Sequence, residues 1–299
     1  MTPDCLVNRL TPSERDSFNS QGYLVVENAL DDRAIQRLIA AVDRIDARER
    51  TDETRDKLLS IPNIIHEDPA LLDLIDCPTI LPKVWGILGW NIAIYHSHVD
   101  VTPAATKAAL KWRVAWHQDS MRVNDEIESK PRPRLSLKIG YYLTDVREPD
   151  RGNTLLLPGS HLQDELDCPA DGASNPAGAV PICAPPGAAL ILDRRTWHSR
   201  SPNLWNQTRK VVWIGYAYRW LRPKDAMTVA KLIPNLDPVC RQLLGDGLSA
   251  NGVYDPVDDD VPLRGWLREH CPEDADWSHH GRSQSRPPAM VRGKNSGRQ

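Results

Sequence analysis

The stretch Leu135-Ser136-Leu137-Lys138-Ile139-Gly140-Tyr141-Tyr142-Leu143 decides the fold class. Its odd-numbered positions are all apolar, so they share one face of an extended chain, as in a strand that packs on a core. Further strand patterns cover residues 22–26, 91–101, 188–192 and 209–220. Turns rich in Pro, Gly and Asn separate them, and strand and helix patterns do not alternate. We therefore predict a mainly β fold, a double-stranded β-helix (jelly-roll, cupin-like) with flanking α-helices.

Helical patterns lie outside this set of strands. Apolar residues recur at helical spacing from Ile35 to Ile45, and Asp31 or Asp32 is placed to cap the first turn. Shorter helical patterns cover residues 239–244 and 263–268, and residues 163–186 predict a long loop near the barrel mouth. We expect one domain over residues 1–280 with helical additions at both ends. Residues 281–299 carry five basic and no acidic residues, which predicts a disordered basic tail.

Composition narrows the classes of partner. The 299 residues include 37 Lys and Arg and 40 Asp and Glu, so the formal net charge is -3. That balance gives no general reason to bind nucleic acid or an anionic membrane, and small molecules are the expected partners. The first residues lack a basic segment followed by an apolar run, so no signal peptide is expected, and no apolar run reaches membrane-spanning length. Six scattered cysteines without a Cys-x-x-Cys pair indicate reduced thiols, so a cytoplasmic protein is expected.

Two histidines and one aspartate form a candidate metal site. His117 and Asp119 lie in Trp-His-Gln-Asp-Ser, and two residues apart on a strand they would share a face. His198 follows the strand 188–192 and could complete the set from a neighbouring strand. Two histidines and one carboxylate hold a divalent metal on one side and leave other positions open, a pattern typical of non-haem Fe(II) oxygen chemistry.

The strand 91–101 offers a rival set of ligands. His96, His98 and Asp100 also share a face, and His98 with Asp100 repeats the His-x-Asp spacing. Three side chains from one strand are spread too far along it to surround one ion, so His117, Asp119 and His198 are favoured. Arg209 opens the strand 209–220, where its guanidinium could offer a bidentate fork to a carboxylate, although a surface arginine is the simpler interpretation of that residue alone.

An ordered series of motifs between about Leu10 and Trp220 resembles the phytanoyl-CoA dioxygenase family, which includes ectoine hydroxylase. The motifs are Gly22-Tyr23-Leu24-Val25-Val26, Trp116-His117-Gln118-Asp119, Leu143-Thr144-Asp145, Arg151-Gly152-Asn153-Thr154, Leu157-Pro158-Gly159-Ser160-His161, Trp197-His198 and Arg209. The resemblance implies a dioxygenase on a jelly-roll, with Fe(II), 2-oxoglutarate and O2 as cofactor and co-substrates.

The resemblance also implies roles for individual residues. It makes His117, Asp119 and His198 the iron ligands and Arg209 the partner of the distal carboxylate of 2-oxoglutarate. His98 and Ser120 stand where relatives place polar contacts to that co-substrate. An intact Asp119 points to oxygenation, because related halogenases replace this carboxylate with Gly or Ala.

Two positions depart from the family pattern. Many members have Lys before Pro ahead of the first ligand, whereas this chain has Thr102-Pro103, which suggests Lys107 or Lys111 as a replacement contact. Many also have Ser two residues after the distal histidine, and this chain has Arg200.

The expected reaction is hydroxylation of an unactivated C–H bond of a small molecule, such as a natural-product or other secondary-metabolite intermediate, with release of succinate and CO2. Trp116, Lys138 and Arg122 are candidate substrate contacts near the ligands. For a tryptophan, core packing is the commoner role, and a solvated loop explains Arg122 equally well. Two alternatives stay open: a non-redox metal-dependent cupin acting as isomerase or hydrolase, and a jelly-roll that binds a ligand without catalysis.

Overall fold

A computed structural model describes residues 1–105, 113–247, 249–250 and 256–276 of the chain. Nine strands lie in it: β1 (Tyr23–Val26), β2 (Leu59–Pro62), β3 (Ile92–Thr102), β4 (Ser136–Tyr142), β5 (Thr154–Leu156), β6 (Val180–Pro181), β7 (Ala189–Asp193), β8 (His198–Arg200) and β9 (Arg209–Tyr218). The helices of this described part are α1 (Pro12–Gln21), α2 (Asp32–Glu49), α3 (Pro69–Leu72), α4 (Leu81–Leu88), α5 (Met121–Glu126), α6 (Pro238–Leu243), α7 (Pro262–His270) and α8 (Pro272–Ala275). The predicted tail and the two candidate lysines, Lys107 and Lys111, lie outside the described residues.

The strands form two antiparallel sheets. The larger sheet has the order β1-β7-β4-β9-β3-β2, and the smaller sheet has the order β6-β5-β8. Strands that are neighbours in a sheet are mostly distant in sequence, as in a jelly-roll rather than a meander. The chain is a double-stranded β-helix with flanking helices, so the fold class predicted from the sequence is confirmed.

The alternating pattern of β4 places its two faces in different surroundings. Leu137, Ile139 and Tyr141 belong to the main core, together with residues of the flanking helices such as Leu38 of α2 and Leu263 of α7. The opposite face of the larger sheet lies inside the barrel, where a second, smaller apolar cluster is found. The site described below occupies this inner face.

Close packing inside the barrel depends on one glycine. Gly140 of β4 is the Cα partner of Trp213 of β9, and a Cβ at Gly140 would lie 2.5 Å from the indole ring. Only a residue without a side chain lets Trp213 lie across the neighbouring strand at this distance. Trp213 is thereby directed toward β3 and the interior.

The predicted helices are present, with sharper boundaries. Asp31, not Asp32, caps α2, because its carboxylate accepts a hydrogen bond from the amide of Ala34 at 2.7 Å. Within the described ranges, no helix combines the length and apolar character needed to cross a membrane.

Candidate metal centre

His117 and His198 are brought side by side by a single antiparallel bridge. The amide of each residue donates to the carbonyl of the other at 3.0 Å, and the ring centroids are 4.2 Å apart. The prediction that residues 117–119 lie on a regular strand was wrong. Only the isolated bridge at His117 is present, and no strand covers residues 117–119. The chain leaves the extended conformation directly afterwards, at Ser120, whose φ is +58°. His198 begins β8, as expected for a ligand contributed by a separate strand.

Donor atoms of His117, Asp119 and His198 lie within 4.8 Å of one another. The Nδ1 atom of His117 is 2.9 Å from the carbonyl oxygen of Ala115, and that of His198 is 2.9 Å from the carbonyl oxygen of Thr196. A carbonyl only accepts, so Nδ1 carries the proton in both rings and the Nε2 lone pair is left for a metal.

Buried atoms of the cluster fit a cation. The Nε2 atom of His198 and the Oδ2 atom of Asp119 are 3.9 Å apart, and both are buried without a hydrogen-bond partner. Buried polar atoms are normally paired, and two lone-pair donors facing each other gain from a divalent ion between them. The set is therefore suited to iron.

Electrostatics keep these donors in the state that a metal requires. Burial lowers the pKa of His198 to about 3, so its ring is neutral at physiological pH. Burial opposes ionisation of Asp119, but the nearby Lys138 ammonium outweighs it and holds the pKa of this carboxyl below its ordinary value. The Lys138 ammonium lies 3.4 Å from Asp119 Oδ1 and from Asp119 Oδ2. Lys138 is thus placed beside the cluster, where it contacts Asp119.

A cavity of about 290 Å³ opens beside the histidines. His117 and His198 form one part of its wall. Arg209, which is only 3% exposed, forms another part. The Nη2 atom of Arg209 donates to Thr154 Oγ1 at 3.4 Å, whereas its Nε and Nη1 atoms have no hydrogen-bond partner. A buried guanidinium with free donors suits a carboxylate ligand.

The rival set of ligands does not converge in the structure. Asp100 Oδ2 accepts a hydrogen bond from the Trp213 indole at 3.1 Å and lies 3.9 Å from Arg209 Nη1. The ring of His98 stacks on Trp213 with centroids 6.0 Å apart, while His96 faces Asp225 at 3.7 Å. His98 and Asp100 nevertheless line the 290 Å³ cavity, so His98 is near the place that the sequence predicted for it.

The remaining predicted site residues are dispersed. Ser120 lies in a different cavity from Arg209. Trp116 is half-buried, and its indole donates to Asn175 at 3.2 Å. Arg122 is 81% exposed and pairs with Glu126 at 2.8 Å.

A second cavity, of about 270 Å³, contains Ser120. Leu135, Val123 and Leu221 supply apolar surface, and Tyr95 and Ser136 lie beside them. Exposed cationic side chains at its edge are Arg122, Arg222 and Lys224. Ser136 is two residues before Lys138 on the same face of β4, about 7 Å along the strand. The two cavities are therefore neighbours along the inner face of the larger sheet.

Two residues that line the first cavity, Thr154 and Arg200, had no role predicted from the sequence, and neither had Thr102, whose hydroxyl accepts a hydrogen bond from Arg200. Thr102 and Arg200 were noted only as departures from a pattern. A usable signal existed for Arg200, because it follows His198 by two residues in β8 and so shares its face. Both residues line the cavity, as that periodicity implies.

Comparison with known sequences gives a family match. The sequence profile of the phytanoyl-CoA dioxygenase family matches residues 18–211. An uncharacterised protein of Mycobacterium tuberculosis is 24% identical over 206 residues, which are 66% of this chain and 72% of that protein. An ectoine dioxygenase of Nocardia farcinica is 24% identical over 157 residues, covering 48% of this chain and about half (49%) of the relative.

Solved structures with a similar fold include one with 2-oxoglutarate bound and one of an α-ketoglutarate-dependent protein. HygX from Streptomyces hygroscopicus, solved with nickel and 2-oxoglutarate bound, superimposes with a TM-score of 0.57 at 14% identity, covering 72% of this chain and 90% of HygX. SnoK, a non-haem α-ketoglutarate-dependent carbocyclase from nogalamycin biosynthesis, has a TM-score of 0.56 at 20% identity, covering 83% and 96%. At these identities the likeness concerns the fold.

Proposed function

The chain belongs to the phytanoyl-CoA dioxygenase family of Fe(II)- and 2-oxoglutarate-dependent enzymes, and on that premise we propose that it hydroxylates an unactivated C–H bond of a small molecule, with His117, Asp119 and His198 as its iron ligands. In the proposed reaction one oxygen atom of O2 enters the product alcohol and the other enters succinate, with release of CO2. Such an enzyme needs all three ligands to converge beside a site for the co-substrate.

One observation carries this proposal. The three donor groups meet within 4.8 Å, both histidines have Nδ1 engaged by a backbone carbonyl, and the same cavity contains a buried arginine with free donors. A metal site for structure alone would have no reason to adjoin a carboxylate pocket. The combination matches what the family's co-substrate requires.

When bound, iron and 2-oxoglutarate supply the oxidant that is made from O2. The residues of the chain do the rest of the work. Arg209 would bind the distal carboxylate of 2-oxoglutarate and fix its distance from the ligand cluster. The carbonyls of Ala115 and Thr196 hold the two imidazole rings in one orientation. Burial of Asp119 and His198 keeps bulk water from these two donors, whereas His117 is exposed.

The second cavity is the proposed substrate site. It adjoins the ligand cluster through Ser120, the residue after Asp119, and has an apolar wall with a cationic edge. This lining favours a substrate with an apolar body and an anionic group. We also propose that the substrate is a natural-product or other secondary-metabolite intermediate, which is supported by the hygromycin B bound in HygX and by the origin of SnoK in nogalamycin biosynthesis.

We also propose a single domain and a reducing compartment for the chain. Residues 1–280 would form one domain, since Leu263 and Leu267 of α7 share one core with Trp85 of α4 and Ile94 of β3. The six cysteines are all free, which supports a reducing compartment such as the cytoplasm.

The test is an anaerobic titration of the metal-free protein with Fe(II) and 2-oxoglutarate, followed through the visible metal-to-ligand charge-transfer band. We expect the band in the wild type and in His96→Gln, which alters the rival set. We expect it to be lost in Asp119→Ala and to need more 2-oxoglutarate in Arg209→Ala.

Metal content measured on the same samples separates the outcomes. Wild-type protein that binds Fe(II) but never forms the band would overturn the proposed function in favour of a non-redox cupin. A band that persists in Asp119→Ala and disappears in His96→Gln would overturn the ligand assignment alone.

A further inference from the structure

Two arginines from opposite sheets line the 290 Å³ cavity. Arg209 opens β9 of the larger sheet, and Arg200 ends β8 of the smaller sheet. Arg209 is the residue to which the proposed function already gives a role. Arg200 has none so far, although it faces the same cavity as His198, two residues before it.

Each arginine is anchored by a threonine of the other sheet. Arg200 donates to Thr102 Oγ1 at 2.9 Å, and Thr102 is the Cα partner of Arg209 in the larger sheet. Arg209 donates to Thr154 Oγ1 at 3.4 Å, and Thr154 is the Cα partner of Arg200 in the smaller sheet. The two hydrogen bonds therefore cross between the sheets, so both guanidinium groups are held at the same end of the cavity.

Charge at this end is not balanced by the described residues that line the cavity. Arg200 and Arg209 are cationic, and Asp100 is the one acidic side chain among those lining residues, whereas Lys138 of the same cavity pairs with Asp119. Burial, together with the neighbouring charge of Arg209, lowers the pKa of Arg200 to about 10, so it stays protonated at neutral pH. Two guanidinium groups, that of Arg209 buried and that of Arg200 partly buried, with one carboxylate among the lining residues favour the entry of an anion.

We propose that Arg200 is a second anchor for the distal carboxylate of 2-oxoglutarate, so that the carboxylate is held between Arg200 of the smaller sheet and Arg209 of the larger sheet. This inference rests on the proposed function and adds a determinant of co-substrate specificity to it. Arg200 is a binding and positioning residue here. The double anchor discriminates against 2-oxo acids that have the same metal-chelating end but lack the second carboxylate.

The test is isothermal titration of the Ni(II)-loaded protein, in which no turnover accompanies binding, with 2-oxoglutarate and with 2-oxobutanoate. For Arg200→Gln we expect the Kd of 2-oxoglutarate to rise about 10- to 100-fold, the usual cost of one charge-assisted hydrogen-bonding partner. The Kd of 2-oxobutanoate should stay within about twofold, because this ligand never reaches Arg200. Arg200→Lys should recover part of the affinity for 2-oxoglutarate, since it restores the charge but not the planar fork.

Arg151→Gln is the matched control. Arg151 is a partly buried arginine that stacks on Trp205 at 4.3 Å and pairs with Asp145 at 3.0 Å, and it does not line the cavity. Both ligands should bind this variant as they bind the wild type.

Three results would overturn the inference. An unchanged Kd for 2-oxoglutarate in Arg200→Gln would show that Arg200 does not contact the co-substrate. Equal losses for both ligands would show that Arg200 serves only to join the sheets. If Arg200→Gln is unfolded at the assay temperature, the Kd values of 2-oxoglutarate and 2-oxobutanoate are compared in Arg200→Lys instead, and the same two outcomes overturn the inference. Failure of the wild-type protein to bind 2-oxoglutarate at all would overturn the proposed function as well, and the charge-transfer titration detects that case independently.

Discussion

Replacing Lys138 with Met is expected to lower the stability of the metal-free protein and to raise its affinity for a divalent metal. The Lys138 ammonium lies 3.4 Å from both oxygens of Asp119, and the two side chains are 13% and 8% exposed. At that separation, with an effective dielectric constant of about 20, the Coulomb attraction is about 5 kcal/mol before desolvation is subtracted. Removing one partner of a buried pair typically costs about 3–5 kcal/mol, because the other charge is left without compensation.

The contribution of Lys138 becomes unfavourable once a divalent cation occupies the cluster. The metal then neutralises the charge of Asp119, and the nearby ammonium of Lys138 repels the metal ion. We therefore expect Lys138→Met to unfold at lower temperature than the wild type without metal and to gain more stability from Ni(II) than the wild type does. Its Kd for Ni(II) should fall at least about tenfold, which corresponds to about 1.4 kcal/mol.

Two measurements check this reasoning: thermal unfolding with and without Ni(II), and a competitive titration of Ni(II) against a chelating dye. Lys210→Met is the control, because Lys210 of β9 pairs with Asp43, whose side chain is 52% exposed, and should contribute less than about 1 kcal/mol. A Lys138→Met protein that is as stable as the wild type without metal, or that binds Ni(II) more weakly, would refute the reasoning.

Three further predictions follow from the same inner face. Burial lowers the pKa of His98 to about 3, below its value in the unfolded chain, so the unfolded state binds more protons. The free energy of unfolding should therefore decrease as the pH falls from about 6.5 toward 3. Chemical denaturation at several pH values should show a shallower decrease in His98→Gln. Gly140→Val should destabilise the fold by about 2 kcal/mol or more, because its Cβ would meet Trp213 at 2.5 Å. The control Gly265→Val, in α7, meets no atom within 4 Å and should change stability by less than about 1 kcal/mol, because valine has a slightly higher helix propensity than glycine. Removal of bound metal with a chelator should lower the melting temperature of the wild type, since a ligand at about 100 times its Kd contributes about 2.7 kcal/mol to stability. The melting temperature of Asp119→Ala should stay unchanged. Equal melting curves for the wild type with and without metal would contradict this prediction.

Local patterns in the sequence predicted the strands well where one face is buried. The alternation from Leu135 to Leu143 corresponds to β4, and the strand proposed to open at Arg209 begins at that residue as β9. Burial of one face fixes the side to which each residue points, so the alternation alone was informative. The same reasoning places Arg200 on the face of His198 and could have assigned it to the cavity.

Other features of the site depend on contacts between distant segments and could not be predicted from local pattern. The sequence placed His117 and Asp119 on a strand, but the extended conformation ends at Ser120, whose positive φ turns the chain away. Ser120 therefore lies in the second cavity, apart from Arg209. The pairing of Lys138 with Asp119 joins β4 to this irregular segment, and no spacing in the sequence encodes it.

The two carbonyls that orient the histidine rings belong to the main chain at Ala115 and Thr196. Every amino acid has a carbonyl, so a substitution at either position leaves the orienting group in place as long as the backbone keeps its path. The geometry of the two proposed histidine ligands is thereby insulated from changes in the side chains around them. Variation could remodel the walls of both cavities, and with them the choice of substrate, while the reactive centre stays constant. Such a separation makes the barrel well suited to acquire new substrates without first losing its chemistry.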